Sequence, residues 1–221
     1  QYIDSAIARN LVATANKNLE PLHRYMQIKA QELGLSKVKV WDLYAPMGKK
    51  KSMEVPYEEA KSWVGKSLEV MGNDYMQVIQ TAFAQRWIDV YPRKAKYSGG
   101  FNTGVYTVHP FILLNYQNTL RDVEVVAHEL GHAAHSYFSS KNQPYIYSNY
   151  TIFVAEIASI TNEIILYKYL LAHEKDRTRR REMLYQFLNG INATFYRQAM
   201  FAEFEDNAHT LAEEGKSINA E

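Results

Sequence analysis

Apolar residues recur at helical spacing over residues 4–33, at Ile7, Leu11, Leu19, Leu22 and Met26, and Gly34 stands where such a helix would stop. KVKVWDLYAPM (37–47) then alternates apolar and charged positions as a short strand does, and Pro46 with Gly48 turns it into a lysine loop. A second helix is predicted from near Pro56 through YEEAKSWVGKSLEVMG, with proline at its first turn and acids near its N-terminus. A third covers roughly 73–88. After it the texture changes. KYSGGFNTGVYTVHPFILLNYQN (96–118) has Gly99, Gly100 and Gly104, then β-branched and aromatic residues, which reads as a loop or hairpin followed by a strand. Pro110 suits the edge of a sheet, because it cannot donate to a central ladder. Helical periodicity returns from Thr119 to about Ser139, and again over about 152–173 after the loop KNQPYIYSNYT. A last long helix spans about 178–214, interrupted near Gly190. With no internal repeat or low-complexity linker, the pattern predicts one mainly α domain with a small β-sheet.

Composition changes this picture little. Hydrophobic residues make up 47% and charged residues 22%, the balance of an ordinary globular protein. The 25 Lys and Arg nearly cancel the 24 Asp and Glu, so no strong field points to nucleic acid or a membrane surface as partner. The one basic cluster, KDRTRRRE (175–182), mixes signs as a solvated helix start does. No apolar run approaches the ~20 residues a bilayer span needs, and no signal-like segment opens the chain. The absence of cysteine removes disulfides and thiolate metal sites, leaving His, Asp and Glu to hold any transition metal. Absent signals and absent cysteine together point to the cytoplasm. The chain opens at Gln1 inside what already reads as helix and ends at GKSINAE without a clear stop, so a fragment of a longer chain is expected.

The chemistry concentrates in VVAHELGHAAHSYF (125–138), where three of the seven histidines and a glutamate fall within eight positions. His128, Glu129 and His132 spell H-E-x-x-H. Histidines four apart lie about 40° apart around a helix, so both imidazoles can reach one metal ion. Zinc suits such nitrogen and carboxylate ligands, and Glu129 would be the general base for a zinc-activated water attacking a peptide carbonyl. A catalytic zinc wants a third protein ligand. Glu156, 24 positions after His132, is preferred, because TIFVAEIASI is an apolar helical stretch where an unpaired carboxylate would be costly. The intervening loop can return that helix antiparallel to the first. Glu163, two turns on, is the rival ligand, and Glu163 or Ser159 would otherwise support the ligands from behind. His135 and Glu124 share the stripe of His128. The preferred reading has them bonding to neighbours and orienting the ligand helix; the alternative makes His135 a pocket residue touching substrate. His23, His173 and His209 are scattered, and only His109, on the expected edge strand, falls near a cleft.

Taken together, these blocks resemble the M3 family of zinc oligopeptidases, oligoendopeptidase F in particular. The likeness rests on H-E-x-x-H followed by a helix with a Glu some two dozen residues on, and extends well beyond it. VWDLYAPM is similar to that family's strand before the active-site half, HPFILLNY to its edge strand, and HELGHAAHSYFSSKNQPYIYSNYTIFVAEIASITNE to its metal-binding core. FYRQAMFAEFE is similar to a segment beyond that core. The resemblance implies a zincin-like, mainly helical catalytic domain with a deep channel, cleaving short peptides rather than folded proteins. It implies one zinc per chain on His128, His132 and Glu156, with Glu129 as base. It also implies an edge strand along the cleft, within 100–115, to which extended peptide adds. Residues 1–221 would then be one catalytic core, with 1–40 a helical lead-in and 41–221 the core proper.

One departure stands out. Members of that family are considerably longer and carry a C-terminal segment whose His and Tyr stabilise the tetrahedral intermediate; no counterpart precedes Glu221. Losing one oxyanion donor costs about 2.7–4 kcal/mol in measured hydrolases. A zinc-binding scaffold with little turnover is therefore an alternative; Tyr145, Tyr147 and Tyr150 are candidate substitutes, although most tyrosines in such a chain are expected simply to pack. A metallocarboxypeptidase of related helical fold is a third reading. In FAEFED (201–206), Phe201 and Phe204 are expected to pack inward, with Glu203 and Glu205 on the wet side.

Overall fold

The computed structural model describes residues 3–47 and 53–219, so the lysine loop expected around 48–52 lies outside the described residues. In chain order the elements are helices α1 (Ser5–Lys17), α2 (Glu20–Leu33), α3 (Tyr57–Leu68) and α4 (Asn73–Ala84), then strands β1 (Ile88–Asp89), β2 (Phe101–Thr103) and β3 (Phe111–Leu113). Helices α5 (Leu120–Asn142), α6 (Ile152–His173), α7 (Arg177–Ile191) and α8 (Arg197–Glu213) follow, the last two joined by a π turn over Asn192–Tyr196. This is the mainly α protein with a small sheet that the pattern predicts. No described helix is long and apolar enough to cross a membrane.

Local chemistry explains where the elements depart from the pattern. The single helix expected over 4–33 is two, because Pro21 in the first turn of α2 has no N–H to carry the ladder through. Gly34 ends α2 in the left-handed conformation at φ 68°. The strand expected at 37–47 is instead a 3-10 turn, Val40–Tyr44. There the Asp42 carboxylate accepts from the Lys39 N–H at 2.8 Å, and the Asp42 N–H donates back to the Lys39 carbonyl at 2.9 Å. Val40, Trp41 and Tyr44 are all exposed, so the alternation has no buried face to serve. Helix α4 stops at Ala84, short of the expected 88, and Ile88 opens β1. The sheet order is β1-β3-β2, with β3 parallel to β1 (Ile88 opposite Ile112) and antiparallel to β2 (Phe101 opposite Leu113). Pro110 therefore precedes the central strand rather than lying on an edge; the edges on either side of that strand are β1 and β2.

The chain divides into two compact units, Gln1–Lys50 with Tyr185–Glu221, and Lys51–Leu184. In the first, α1 packs along α8. The Arg9 guanidinium reaches Asp206 at 3.0 Å, and Asn16 donates to Glu203 at 2.9 Å. Glu205 is exposed as expected, but the rest of FAEFED turns the other way: Glu203 and Asp206 make contacts with α1, while Phe201 and Phe204 are exposed.

The second unit holds the larger core. Val64, Leu68, Ile79, Leu114, Val123, Val126, Leu130, Leu166 and Met183 are fully enclosed, and α5 runs among α3, α4, α6 and the sheet. Thr119 caps α5: its hydroxyl accepts from the Asp122 N–H at 3.1 Å, and Asp122 accepts from the Thr119 N–H at 2.9 Å. The reciprocal cap fixes the start of α5 and with it the turn on which each later side chain emerges.

Candidate metal centre

Helices α5 and α6 are antiparallel, since their contacts run in opposite order: Glu124 with Tyr167, Ala127 with Asn162, Gly131 with Ser159. They touch backbone to backbone at Gly131. A Cβ there would lie 2.6 Å from Ser159 Cα and 2.7 Å from the Ala158 carbonyl oxygen, so only glycine permits the approach. Asn162, completely buried, donates from Nδ2 to the Ala127 carbonyl at 3.0 Å and accepts from the Tyr75 hydroxyl at 2.9 Å. It thereby ties α6 to the turn of α5 just before His128.

This contact brings His128, His132 and Glu156 together. Nε2 of His128 lies 3.1 Å from Nε2 of His132, and Oε2 of Glu156 lies 3.4 and 3.6 Å from those two nitrogens. Ser159 donates to the same Glu156 oxygen at 2.8 Å. Glu163 is not in this cluster. It binds the other ring nitrogen of His128, Nδ1, at 2.5 Å. The carboxylate accepts from Nδ1–H, which leaves Nε2 presenting its lone pair to the cluster. Glu156 is exposed, with a side-chain accessibility of 48%, so burial is not what demands a partner for it; the imidazoles and Ser159 hold it instead.

The electrostatics differ along the motif. Burial acts to lower the His128 pKa, but the hydrogen bond and charge of Glu163, with Glu129 and Glu156 behind, outweigh it and hold that pKa above its ordinary value. Burial and the neighbouring His128 push His132 the other way, against Glu156. Glu129 is buried, with one carboxylate oxygen lacking a hydrogen-bond partner. Burial raises its pKa to about 7, with His128 opposing and Glu156 and Glu163 reinforcing.

The remaining sequence candidates sit around this group. Glu124 is buried behind the motif, bound to Arg121 at 2.7 Å and to the Tyr167 hydroxyl at 3.0 Å. His135 stacks on Tyr150, with ring centroids 3.7 Å apart, and Tyr150 hydrogen-bonds to Ser136 at 2.7 Å. His109 stays apart, stacked on Trp87 and bonded to the Pro110 carbonyl. Gly131, Asn162, Tyr75, Arg121 and Tyr167 escaped the sequence reading. Asn162 had a signal, since Ala155, Ser159, Asn162 and Leu166 form one helical stripe with a polar amide in an apolar row.

A helical protein in which an H-E-x-x-H helix and an antiparallel neighbour converge two imidazoles and a carboxylate is of a defined type, and the comparisons agree with it. Peptidase family M3 matches over residues 1–221, and the chain belongs to that family. It is 43% identical over 219 residues to oligopeptidase PepF of Bacillus subtilis (strain 168), covering 99% of this chain and 33% of that protein. To group B oligopeptidase PepB of Streptococcus agalactiae it is 40% identical, covering 100% of this chain and 36% of that protein. The crystal structure of oligoendopeptidase-F from Enterococcus faecium aligns with a TM-score of 0.66 at 33% identity, over 98% of this chain and 30% of that one. The chain thus spans about a third of the length of the curated relatives it matches.

Proposed function

We propose that the chain carries the catalytic metal site of a zinc-dependent oligoendopeptidase that hydrolyses short peptides. The observation that carries this is the triangle of ligand atoms. Atoms bonded tetrahedrally to zinc at about 2.0–2.2 Å lie about 3.3–3.6 Å from one another, and the edges here are 3.1, 3.4 and 3.6 Å. Two imidazoles with one carboxylate are also a known catalytic zinc donor set. His128, His132 and Glu156 would hold the ion, which when bound supplies Lewis acidity and lowers the pKa of water.

The chain's own residues supply the rest. Glu163 fixes the tautomer and plane of His128, and Ser159 fixes the carboxylate of Glu156. Glu129 is the general base: its carboxylate takes the proton of the attacking water and passes it to the amide nitrogen as the peptide bond breaks. The names of the relatives, oligopeptidase and oligoendopeptidase, support a peptide as substrate.

The test is zinc content and cleavage of an internally quenched peptide blocked at both ends, on one preparation. One zinc per chain with cleavage is expected, and a carboxypeptidase would leave such a peptide intact. Glu129→Gln should keep the zinc and lose rate by about 10²–10⁴-fold; full rate in that variant would remove the general-base role. A second reading is a metal-holding core with little turnover of its own. Zinc without cleavage would select it.

A further inference from the structure

His135 is the one histidine of the motif helix that the metal cluster does not use. Other described histidines in its unit engage a ring nitrogen: His109 and His173 bind backbone carbonyls through Nδ1, His128 binds Glu163, and His132 meets His128. The Nδ1 of His135 is enclosed and has no protein partner. Burial lowers its pKa, so the ring is kept neutral. An enclosed N–H without an acceptor costs more than an enclosed lone pair without a donor. The single ring proton therefore belongs on Nε2. The ring is only partly covered while Nδ1 is enclosed, so its accessible edge is the Nε2 side.

That donor is held firmly. The Tyr150 ring lies on His135 with an interplanar angle of 11°, and the Tyr150 hydroxyl bonds to Ser136, one residue on. Ser136 donates in turn to Asn102 of β2 at 3.4 Å, and a Cβ on Gly104, just past β2, would touch Ser136 at 3.7 Å. A chain of contacts thus links the plane of His135, one helical turn beyond His132, to the edge strand β2. Packing of this kind with a tied hydroxyl locks the ring in one orientation, which a ligand-binding donor needs.

We infer that His135 donates its Nε2–H to a backbone carbonyl of an extended peptide lying along β2, which makes it a substrate-binding residue with Tyr150 as its positioning residue. This rests on the peptidase reading above. It is separable from that reading because zinc binding does not require it.

The test uses the zinc-loaded chain with Glu129→Gln to prevent cleavage, and a fluorescein-labelled octapeptide blocked at both ends, followed by anisotropy. Adding His135→Phe keeps a flat ring on Tyr150 and removes the donor; affinity should fall about ten-fold, with zinc stoichiometry unchanged. Adding His135→Gln retains an N–H donor and should bind within about three-fold of the parent. Equal binding by the Phe and parent chains, or zinc-loaded parent that binds no peptide, overturns the inference while leaving the metal site intact. Loss of zinc in both His135 variants also overturns it, in favour of a purely structural role. A parent that takes up no zinc overturns the peptidase reading itself, and this inference with it.

Discussion

Gly131→Ala adds one methyl group where the two helices of the candidate metal centre meet backbone to backbone. The new Cβ would sit 2.6 Å from Ser159 Cα, 2.7 Å from the Ala158 oxygen and 2.9 Å from the Ala158 carbonyl carbon. Ordinary contact needs about 3.5–4.0 Å, and all three atoms are backbone, so no side chain can swing aside. The helices must part by about 1 Å. Overpacking of this kind costs about 1–3 kcal/mol, against which the better helix propensity of alanine returns at most about 1 kcal/mol. The net stability loss is therefore at most about 3 kcal/mol. The site suffers more, because the Glu156 oxygen is three residues from the clash and its two distances to the imidazoles cross the same helix contact. Functional geometry tolerates about 0.5 Å. Zinc affinity should drop about 10–100-fold, the range seen when a ligand's support is removed. Chelator competition reads the affinity, and urea unfolding reads the stability. An alanine chain that holds zinc as tightly as the parent would refute the reasoning that this contact sets the ligand spacing.

Two other outcomes follow from the same pair of helices. Asn162→Ala leaves the Tyr75 hydroxyl without its acceptor inside the core and should cost about 1–3 kcal/mol in urea unfolding; an unchanged midpoint would mean the amide is not holding α4, α5 and α6 together. Glu156→Ala should abolish stoichiometric zinc, whereas Glu163→Gln should retain it with about 10–100-fold weaker affinity. Unchanged affinity in the Glu156 variant would transfer the third ligand to Glu163.

Much of the candidate metal site's grouping of side chains was foreshadowed in the chain because its parts announce themselves locally. Thr119 and Asp122 cap the helix, H-E-x-x-H fixes two groups on one face, and the helix over 152–173 was legible to the residue. What two helices make jointly was not legible. Gly131 looks like any helical glycine until Ser159 stands against it, and Asn162 looks like a misplaced amide until Tyr75 and Ala127 meet it. Local alternation also misled where nothing was buried to enforce it: KVKVW has a strand's pattern, but Asp42 closes it into a tight turn with its side chains exposed. The same holds for Phe201 and Phe204, whose apolar character suggested an inward face while Glu203 and Asp206 made the contacts with α1.

The brevity of β2 bears on selectivity. Three residues of edge strand, with β3 occupying one side, leave a partner only two or so outward-turned amide and carbonyl positions. A peptide added there would be gripped through groups that every residue shares, over less than two turns' worth of its own sequence. Such a grip is nearly blind to side chains and too short to hold a chain that is anchored elsewhere in a fold. If the proposed peptide site lies here, discrimination would fall on whether the backbone is free to lie flat, so that flexibility rather than sequence would be the property screened.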